Sequence, residues 1–152
     1  MGMTEIFPFA SIDGSWRFPG WIRGLRHANG VYIFRERDTG AIVYVGESHS
    51  GRLYSTLTRH FQNWTDKFDT AGATYDRDEV DVAVIAVPGD HAAYLQDEFI
   101  CRLIPRDNRL QCADLFTDDE REPPAGYAYD LDVLLAGIDY RFELHDLDDV
   151  PF

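Results

Sequence analysis

Two tyrosines, each close to a glycine in a short apolar segment, are the residues of this chain whose types and spacing best suggest chemistry. Tyr32 follows Gly30 by two positions, and Tyr44 precedes Gly46 by the same interval. A phenol hydroxyl can donate a hydrogen bond, or accept a proton if neighbouring positive charge lowers its pKa. Further candidate groups come later, at Arg59, His60 and Glu98. If both hydroxyls converge on these groups, a hydrolytic site is plausible; otherwise they are two core tyrosines.

The elements that must position the tyrosines are the strands of a β-hairpin. Residues 30–35 and 41–46 are apolar runs, and Asp38-Thr39-Gly40 between them has the chemistry of a turn. A turn resets the alternation of side chains along the chain, so strand pairing decides whether the two tyrosines share a face.

The elements after the hairpin complete a small domain. Apolar residues at every fourth position predict an amphipathic helix over about residues 52–64. The β-branched run 80–87 predicts a third strand. Asp90 is the expected cap of a helix over 91–104, and Pro105 ends it. This order predicts an α+β fold in which a small three-stranded mixed or antiparallel sheet is flanked by helices.

Acidic residues are concentrated near the C-terminus. The net charge is −13, and residues 111–152 hold 12 of the 27 Asp and Glu but only 2 of the 14 Lys and Arg. We therefore expect an extension over 1–28 that packs on the core, a domain over 29–110 and an acidic extension over 111–152. The acidic extension is typical of a solubilising, partly disordered segment. A sharper hypothesis is that it shields the site by imitating DNA phosphates, or binds a protein partner.

Composition also bears on the location of the protein. No apolar run approaches the roughly 20 residues that a membrane-spanning helix needs, and the N-terminus lacks the pattern of a signal peptide. We expect a cytoplasmic protein with no membrane partner. Cys101 and Cys112 are the only cysteines. They fit no metal-ligand pattern and are expected to be reduced, with a disulfide between them as the less favoured alternative.

The motifs, in their order, resemble those of the GIY-YIG nucleases. The matching segments span about residues 29–108 and are Gly30-Val31-Tyr32, Tyr44-Val45-Gly46, Arg59-His60-Phe61, Glu98 and Pro105-Arg106-Asp107-Asn108. The family includes homing endonucleases, some restriction enzymes and the incision half of a bacterial excision-repair enzyme. The resemblance implies a mixed three-stranded sheet and metal-dependent hydrolysis of phosphodiester bonds in DNA.

The resemblance also implies roles for single residues. Tyr32 would be the general base, Tyr44 would position water or phosphate, and His60 would accept a proton or a hydrogen bond. Glu98 would hold Mg²⁺ or Mn²⁺, since a magnesium ion needs only one or two carboxylates. The supporting residues would be Gly30, Gly46, Arg59 and Asn108.

One position departs from the family pattern. The family arginine one helical turn before the histidine is replaced by Thr56. Arg52 lies one turn earlier still, on the same predicted helix face as His60, and its guanidinium could hold a phosphate bidentately. Arg59 is the fallback. Glu47 is read as a loop residue, with a second metal ligand as the alternative. The candidate nucleic-acid-binding residues are Arg52, Arg59, Arg102 and Arg106.

Three functional hypotheses follow from the sequence. The first is a Mg²⁺- or Mn²⁺-dependent DNA endonuclease, with the strandedness of its DNA left open. The second is a noncatalytic module of the same fold that binds nucleic acid or protein, which the threonine at position 56 and the negative net charge favour. The third, supported only by the acidic extension, is a DNA mimic that blocks another nuclease.

Overall fold

A four-stranded antiparallel sheet forms the centre of the computed structural model, which describes residues 4–12, 18–62, 64–65, 70–71, 75–108, 112, 115 and 122–140. The strands of this sheet, in the order β1-β6-β2-β3, are β1 (Glu5–Ser11), β2 (Gly30–Glu36), β3 (Ile42–Ser48) and β6 (Val80–Ala86). A separate two-stranded sheet consists of β4 (Trp64–Thr65) and β5 (Thr70–Ala71). The helices are α1 (Gly20–Arg23), α2 (Leu53–Thr58), which continues as a 3-10 turn (Arg59–Phe61), α3 (Gly89–Leu103) and α4 (Leu131–Gly137).

The predicted α+β class and antiparallel pairing are confirmed, but the sheet has four strands and not three. The additional strand is β1, which pairs with β6 at one edge of the sheet. Pro8 cannot donate a backbone hydrogen bond, and the pairing register shifts between Phe7 and Ala10. Proline and a broken alternation make this segment a poor strand by sequence, yet both are tolerated at a sheet edge.

The two faces of the sheet carry different side chains of β2. Val31 and Ile33 pack with α3 on what we call the α3 face. Tyr32 and Phe34 pack with α1 and α2 on the opposite side, which we call the tyrosine face. A strand that lies between two neighbours and is covered on both faces is apolar at nearly every position, which explains the unbroken apolar run of β2.

The two helices predicted after the hairpin are present, with two differences that bear on the site; α4 was not predicted. Pro88, and not Asp90, is the cap residue of α3. The helix predicted over 52–64 is shorter: α2 ends at Thr58, and His60 lies in the 3-10 turn that follows. A 3-10 turn advances its side chains by a different angle from an α-helix, so the spacing of His60 from residues earlier in α2 is altered.

Part of the predicted acidic extension belongs to the core. Leu134, Leu135 and Ile138 are buried on the α3 face, and the Phe9 N–H donates to the Ile138 carbonyl at 3.1 Å. Deletion of residues 117–152 would therefore remove core side chains. A deletion that tests the role of the acidic end alone must begin after Tyr140. The acidic end itself, residues 141–152, lies outside the described residues. No helix in the described part of the chain is long and apolar enough to cross a membrane.

The two cysteines form a disulfide. The Sγ atoms of Cys101, near the end of α3, and Cys112 are bonded. The expectation of two reduced thiols is therefore wrong for this structure. The bond attaches residue 112 to the helix that covers the α3 face.

Candidate functional site

The structure brings the two tyrosines and the histidine together on the tyrosine face. Tyr32 pairs with Gly46 and Phe34 with Tyr44 in the β2–β3 register, so both tyrosines lie on one side of the hairpin. The Tyr32 hydroxyl lies 3.0 Å from Nε2 of His60. The ring centroids of Tyr44 and His60 are 4.6 Å apart, and those of the two tyrosines are 6.1 Å apart. Three of the predicted site residues therefore form one cluster, which we call the Tyr–His cluster.

Gly46 provides the space for the Tyr32 ring. A Cβ at position 46 would lie 2.3 Å from Cζ and 2.4 Å from the hydroxyl oxygen of Tyr32. The ring therefore lies directly against the backbone of β3, and its hydroxyl points over the strand towards His60. Of the two glycines in the motifs, this one is required by the position of a candidate site residue.

Electrostatics fix the charge states of Tyr32 and His60. Burial, with a smaller contribution from Tyr44, raises the pKa of the Tyr32 phenol well above its usual range. Burial and the charge of Arg59 lower the pKa of His60 to about 4. At neutral pH both groups are therefore uncharged, and the phenol donates to Nε2 when the imidazole carries its proton on Nδ1. A general base that acts as a free phenolate requires a lowered pKa, and the shift at Tyr32 has the opposite sign.

The positive charge beside the Tyr–His cluster belongs to Arg59. Its guanidinium lowers the pKa of both Tyr32 and His60, and its side chain is exposed. Arg52 is the cap residue of α2, with a non-helical backbone, and its N–H donates to the Ser48 hydroxyl at 3.1 Å. No contact described by the structure links the Arg52 side chain to the cluster, so Arg59, the fallback, occupies the place predicted for Arg52.

Glu98 is not brought to the Tyr–His cluster. It lies on α3, which packs on the opposite face of the sheet through Ala92, Leu95 and Phe99. Its carboxylate accepts a hydrogen bond from the hydroxyl of Tyr127. The partner comes from a segment 29 residues further along the chain, and no motif around Glu98 indicates that contact.

Asn108 has a positioning role at the edge of the sheet. Its side-chain Oδ1 accepts from the Val45 N–H at 2.9 Å, and its Nδ2 donates to the Val45 carbonyl at 2.8 Å. The amide thus imitates a neighbouring strand and holds β3 between Tyr44 and Gly46. The supporting role that the family resemblance implies for Asn108 stays a prediction.

The two other candidate nucleic-acid-binding arginines are engaged elsewhere. Arg102 forms an ion pair with Asp132. Arg106 forms ion pairs with Asp107 at 2.8 Å and with Glu36 at 3.2 Å. A carboxylate competes with phosphate for a guanidinium, so we expect neither arginine to be a main phosphate contact; Arg106 is linked to the cluster only through Asp107 and Tyr75.

Tyr75 is a cluster neighbour that sequence reasoning missed. Its ring centroid lies 6.3 Å from that of His60, its N–H donates to the His60 carbonyl at 3.0 Å, and its hydroxyl donates to Asp107 at 2.8 Å. These contacts hold the 3-10 turn of His60 against the sheet. Tyr75 stands in the polar stretch before β6, and only its aromatic character could have signalled it.

The fit of a metal ion depends on which carboxylates lie near the cluster. Among the described residues, no group of three or more His, Cys, Asp or Glu side chains could hold a metal. Glu98 does not fit, because it lies against Tyr127 on the α3 face. Glu47 directly follows Gly46, its charge raises the pKa of Tyr32, and its carboxylate contacts Nδ1 of His49 at 3.0 and 3.1 Å. One carboxylate suffices for a magnesium ion that keeps most of its waters, so Glu47 fits by donor chemistry.

Comparison of the chain with protein-family models, with curated proteins and with solved structures found no match.

The lowered pKa of His60 predicts that the free energy of unfolding decreases in acid. The unfolded state, with a histidine pKa of about 6.5, binds more protons than the folded state between about pH 6.5 and about pH 4. His60 therefore contributes stability that is complete above pH 6.5 and is lost as the pH falls towards 4. Urea unfolding at about pH 7 and about pH 4.5 should show a larger loss for the wild type than for His60→Gln. Equal losses would contradict burial of a neutral imidazole.

Proposed function

We propose that this chain is a nuclease of the GIY-YIG type that hydrolyses phosphodiester bonds in DNA at the Tyr–His cluster. The observation that supports it best is the 3.0 Å contact between the Tyr32 hydroxyl and Nε2 of His60, with Tyr44 on the same face. A phenol paired with a neutral imidazole beside an arginine can move a proton and hold a phosphate. Core packing of aromatic rings needs none of these polar groups.

The pair allows proton transfer without a free phenolate. A water bound at the Tyr32 oxygen gives its proton to that oxygen as the phenol proton passes to Nε2 of His60. The resulting hydroxide attacks the phosphorus atom and the bond from phosphorus to the sugar oxygen breaks; that oxygen takes up a proton from water, and His60 returns its proton to solvent. The bound phosphodiester raises the pKa of His60 by its negative charge, so the imidazole becomes a better acceptor when substrate is present. The raised pKa of Tyr32 is compatible with this relay.

Arg59 and Tyr44 are the groups that would hold the phosphate. A guanidinium can contact two phosphate oxygens at once, and the charge of Arg59 already acts on Tyr32 and His60. The Tyr44 ring lies against His60, so its hydroxyl can orient a phosphate oxygen or the attacking water. A magnesium ion, if held by Glu47, would stabilise negative charge on the phosphate as it is attacked.

The carboxylate assignment predicts opposite results for two matched variants. Glu47→Gln should lower Mg²⁺-dependent cleavage at least about 10-fold and weaken Mn²⁺ binding, because it removes the carboxylate whose charge acts on Tyr32. Glu98→Gln should leave both properties near the wild-type values, since its carboxylate faces Tyr127. Cleavage rates and Mn²⁺ titration by electron paramagnetic resonance check this. Loss of both properties in Glu98→Gln alone would restore the original assignment of the metal to Glu98.

Cleavage itself is the test of the proposed function. Supercoiled plasmid and labelled single-stranded DNA are incubated with the folded protein in Mg²⁺, in Mn²⁺ and in EDTA. Metal-dependent cutting that is lost in Tyr32→Phe supports the nuclease, whereas no cutting of either DNA contradicts it. The second candidate, a noncatalytic binding module of the same fold, is favoured by the position of Glu98 on the α3 face. It predicts binding without turnover.

A further inference from the structure

The arginines in the described part of the chain differ in their partners. Four are ion-paired: Arg35 and Arg37 with Asp81, Arg102 with Asp132, and Arg106 with Glu36 and Asp107. Four others form no ion pair with any carboxylate that the structure describes, namely Arg23, Arg26, Arg52 and Arg59. We call these four the arginine surface. A guanidinium without a carboxylate partner keeps its full charge for a ligand, although Nε of Arg23 donates to the Phe18 carbonyl at 3.0 Å.

The arginine surface lies on two segments that contain no acidic residue. Neither residues 14–35 nor residues 48–65 include an Asp or a Glu. The segments are joined by hydrogen bonds where α1 leads into the hairpin and α2 begins: Leu53 N–H to the Ala28 carbonyl at 3.2 Å, and Tyr54 N–H to the Leu25 carbonyl at 3.3 Å. The four arginines therefore belong to one contiguous part of the molecule.

This part of the molecule leads to the Tyr–His cluster. Arg59 follows α2 and acts on Tyr32 and His60, while Arg52 caps the other end of the same helix. Arg26 lies beside α2, with its guanidinium 5.5 Å from the centre of the Tyr54 ring. A polyanion held by Arg26 and Arg52 would thus continue along α2 to the tyrosine hydroxyls.

Three exposed carboxylates lie away from the arginine surface. Asp90, Asp130 and Asp139, which belong to α3, the α4 cap and the end of the described chain, are exposed. The net charge of −13 therefore does not describe the surface around the cluster.

We infer that the arginine surface is the track on which a nucleic acid lays its phosphate backbone to reach the Tyr–His cluster. This inference rests on the proposed function, because it assigns the substrate of that site. Four guanidinium–phosphate contacts release about three to four counterions, so the logarithm of the binding constant should fall with the logarithm of salt concentration with a slope of about −3 to −4.

Fluorescence anisotropy with a labelled oligonucleotide, both single-stranded and duplex, tests the track. The titrations contain EDTA, so that binding is measured without metal-dependent cleavage, and NaCl is varied between about 50 and 200 mM. The double variant Arg26→Gln/Arg52→Gln should reduce the salt slope by about 2 and weaken binding about 10-fold or more at the lowest salt. Circular dichroism checks that each variant is folded.

A second double variant provides a control of equal charge. Arg102→Gln/Arg106→Gln removes the same number of positive charges, but from guanidinium groups that are already ion-paired. It should bind nucleic acid with nearly the wild-type slope. If both double variants weaken nucleic-acid binding equally, only total charge matters. If Arg26→Gln/Arg52→Gln binds as tightly as the wild type, these arginines do not contact the nucleic acid. Either result overturns the inference.

The outcomes separate this inference from the proposed function. Salt-dependent binding that requires Arg26 and Arg52, without cleavage in Mg²⁺ or Mn²⁺, contradicts the nuclease and leaves the track in place. The opposite outcome is cleavage that requires Tyr32, together with wild-type binding by the Arg26→Gln/Arg52→Gln variant. That outcome supports the nuclease and contradicts the track.

Discussion

Replacement of Tyr32 by phenylalanine is expected to lower the rate of DNA cleavage about 100-fold or more, and replacement of His60 by alanine to do the same. The phenylalanine variant keeps the ring that packs against Gly46 and loses only the hydroxyl that donates to Nε2 of His60. The fold should therefore persist, and nucleic-acid binding should change little. Rates are measured at saturating DNA, with binding measured separately by anisotropy.

The double variant Tyr32→Phe/His60→Ala should be scarcely slower than either single variant. Two groups that pass one proton act as a unit, so removal of the second costs little once the first is gone. Losses that multiply would show that the two residues act in separate steps.

The structure offers a matched control for this experiment. Tyr129 and His91 form a second tyrosine–histidine pair, at 2.6 Å, on the opposite side of the sheet from the cluster. Tyr129→Phe breaks an equivalent hydrogen bond away from the Tyr–His cluster and should cut DNA at the wild-type rate. If Tyr129→Phe and Tyr32→Phe lose cleavage equally, the loss reflects general destabilisation and the proton relay is untenable.

Alanine at Gly30 is expected to have the largest effect on the free energy of unfolding, a loss of about 4 kcal/mol or more. A Cβ there would lie 2.3 Å from the Ile85 carbonyl oxygen and 2.8 Å from the Ala86 Cα. Both atoms belong to the backbone of the paired strand β6, which cannot move without breaking the sheet. The backbone angle φ of +154° at Gly30 adds strain for any residue with a side chain.

Alanine at Gly46 collides just as closely, but with a movable group. Its Cβ would lie 2.3 Å from the Tyr32 ring, and the ring can turn aside at a cost of about 1–3 kcal/mol. Gly46→Ala should therefore stay folded while cleavage falls, because the Tyr32 hydroxyl leaves His60. Gly40→Ala, where φ is +77° and nothing lies within 4 Å of the added atom, serves as the control for backbone strain alone.

Urea unfolding and the yield of soluble protein rank these glycine variants. The expected order of destabilisation is position 30, then position 46, then position 40. A Gly30→Ala protein as stable as the wild type would show that β2 and β6 approach less closely than the register indicates.

The sequence predicted the hairpin and the third strand well, because long apolar runs bounded by turn residues permit few alternatives. It could not decide whether Tyr32 and Tyr44 share a face. That depends on the pairing of Phe34 with Tyr44 and on the register shift that follows, before Arg35 pairs with Ile42. The fourth strand was missed because proline and broken alternation are tolerated only where a strand has one neighbour.

The candidate site was predictable only as far as local sequence fixes side-chain direction. Tyr32 and His60 were named together, and the structure joins them. Glu98 was assigned to the same site by the family resemblance, but in the structure its carboxylate contacts Tyr127, a long-range partner. The choice between Arg52 and Arg59 depended on helix geometry, which the 3-10 turn alters.

The contacts at the edge of β3 affect how this chain can bind other molecules. The segment that follows α3 donates from the Asp107 N–H to the Val43 carbonyl at 2.8 Å, and the Asn108 amide occupies both backbone groups of Val45. At the other edge, Pro8 of β1 has no N–H to offer. Neither edge is a ready template for an added strand from a peptide or a second copy of the chain. Any partner of this sheet must therefore bind mainly to side chains. Aggregation by pairing of strand edges is disfavoured for the same reason.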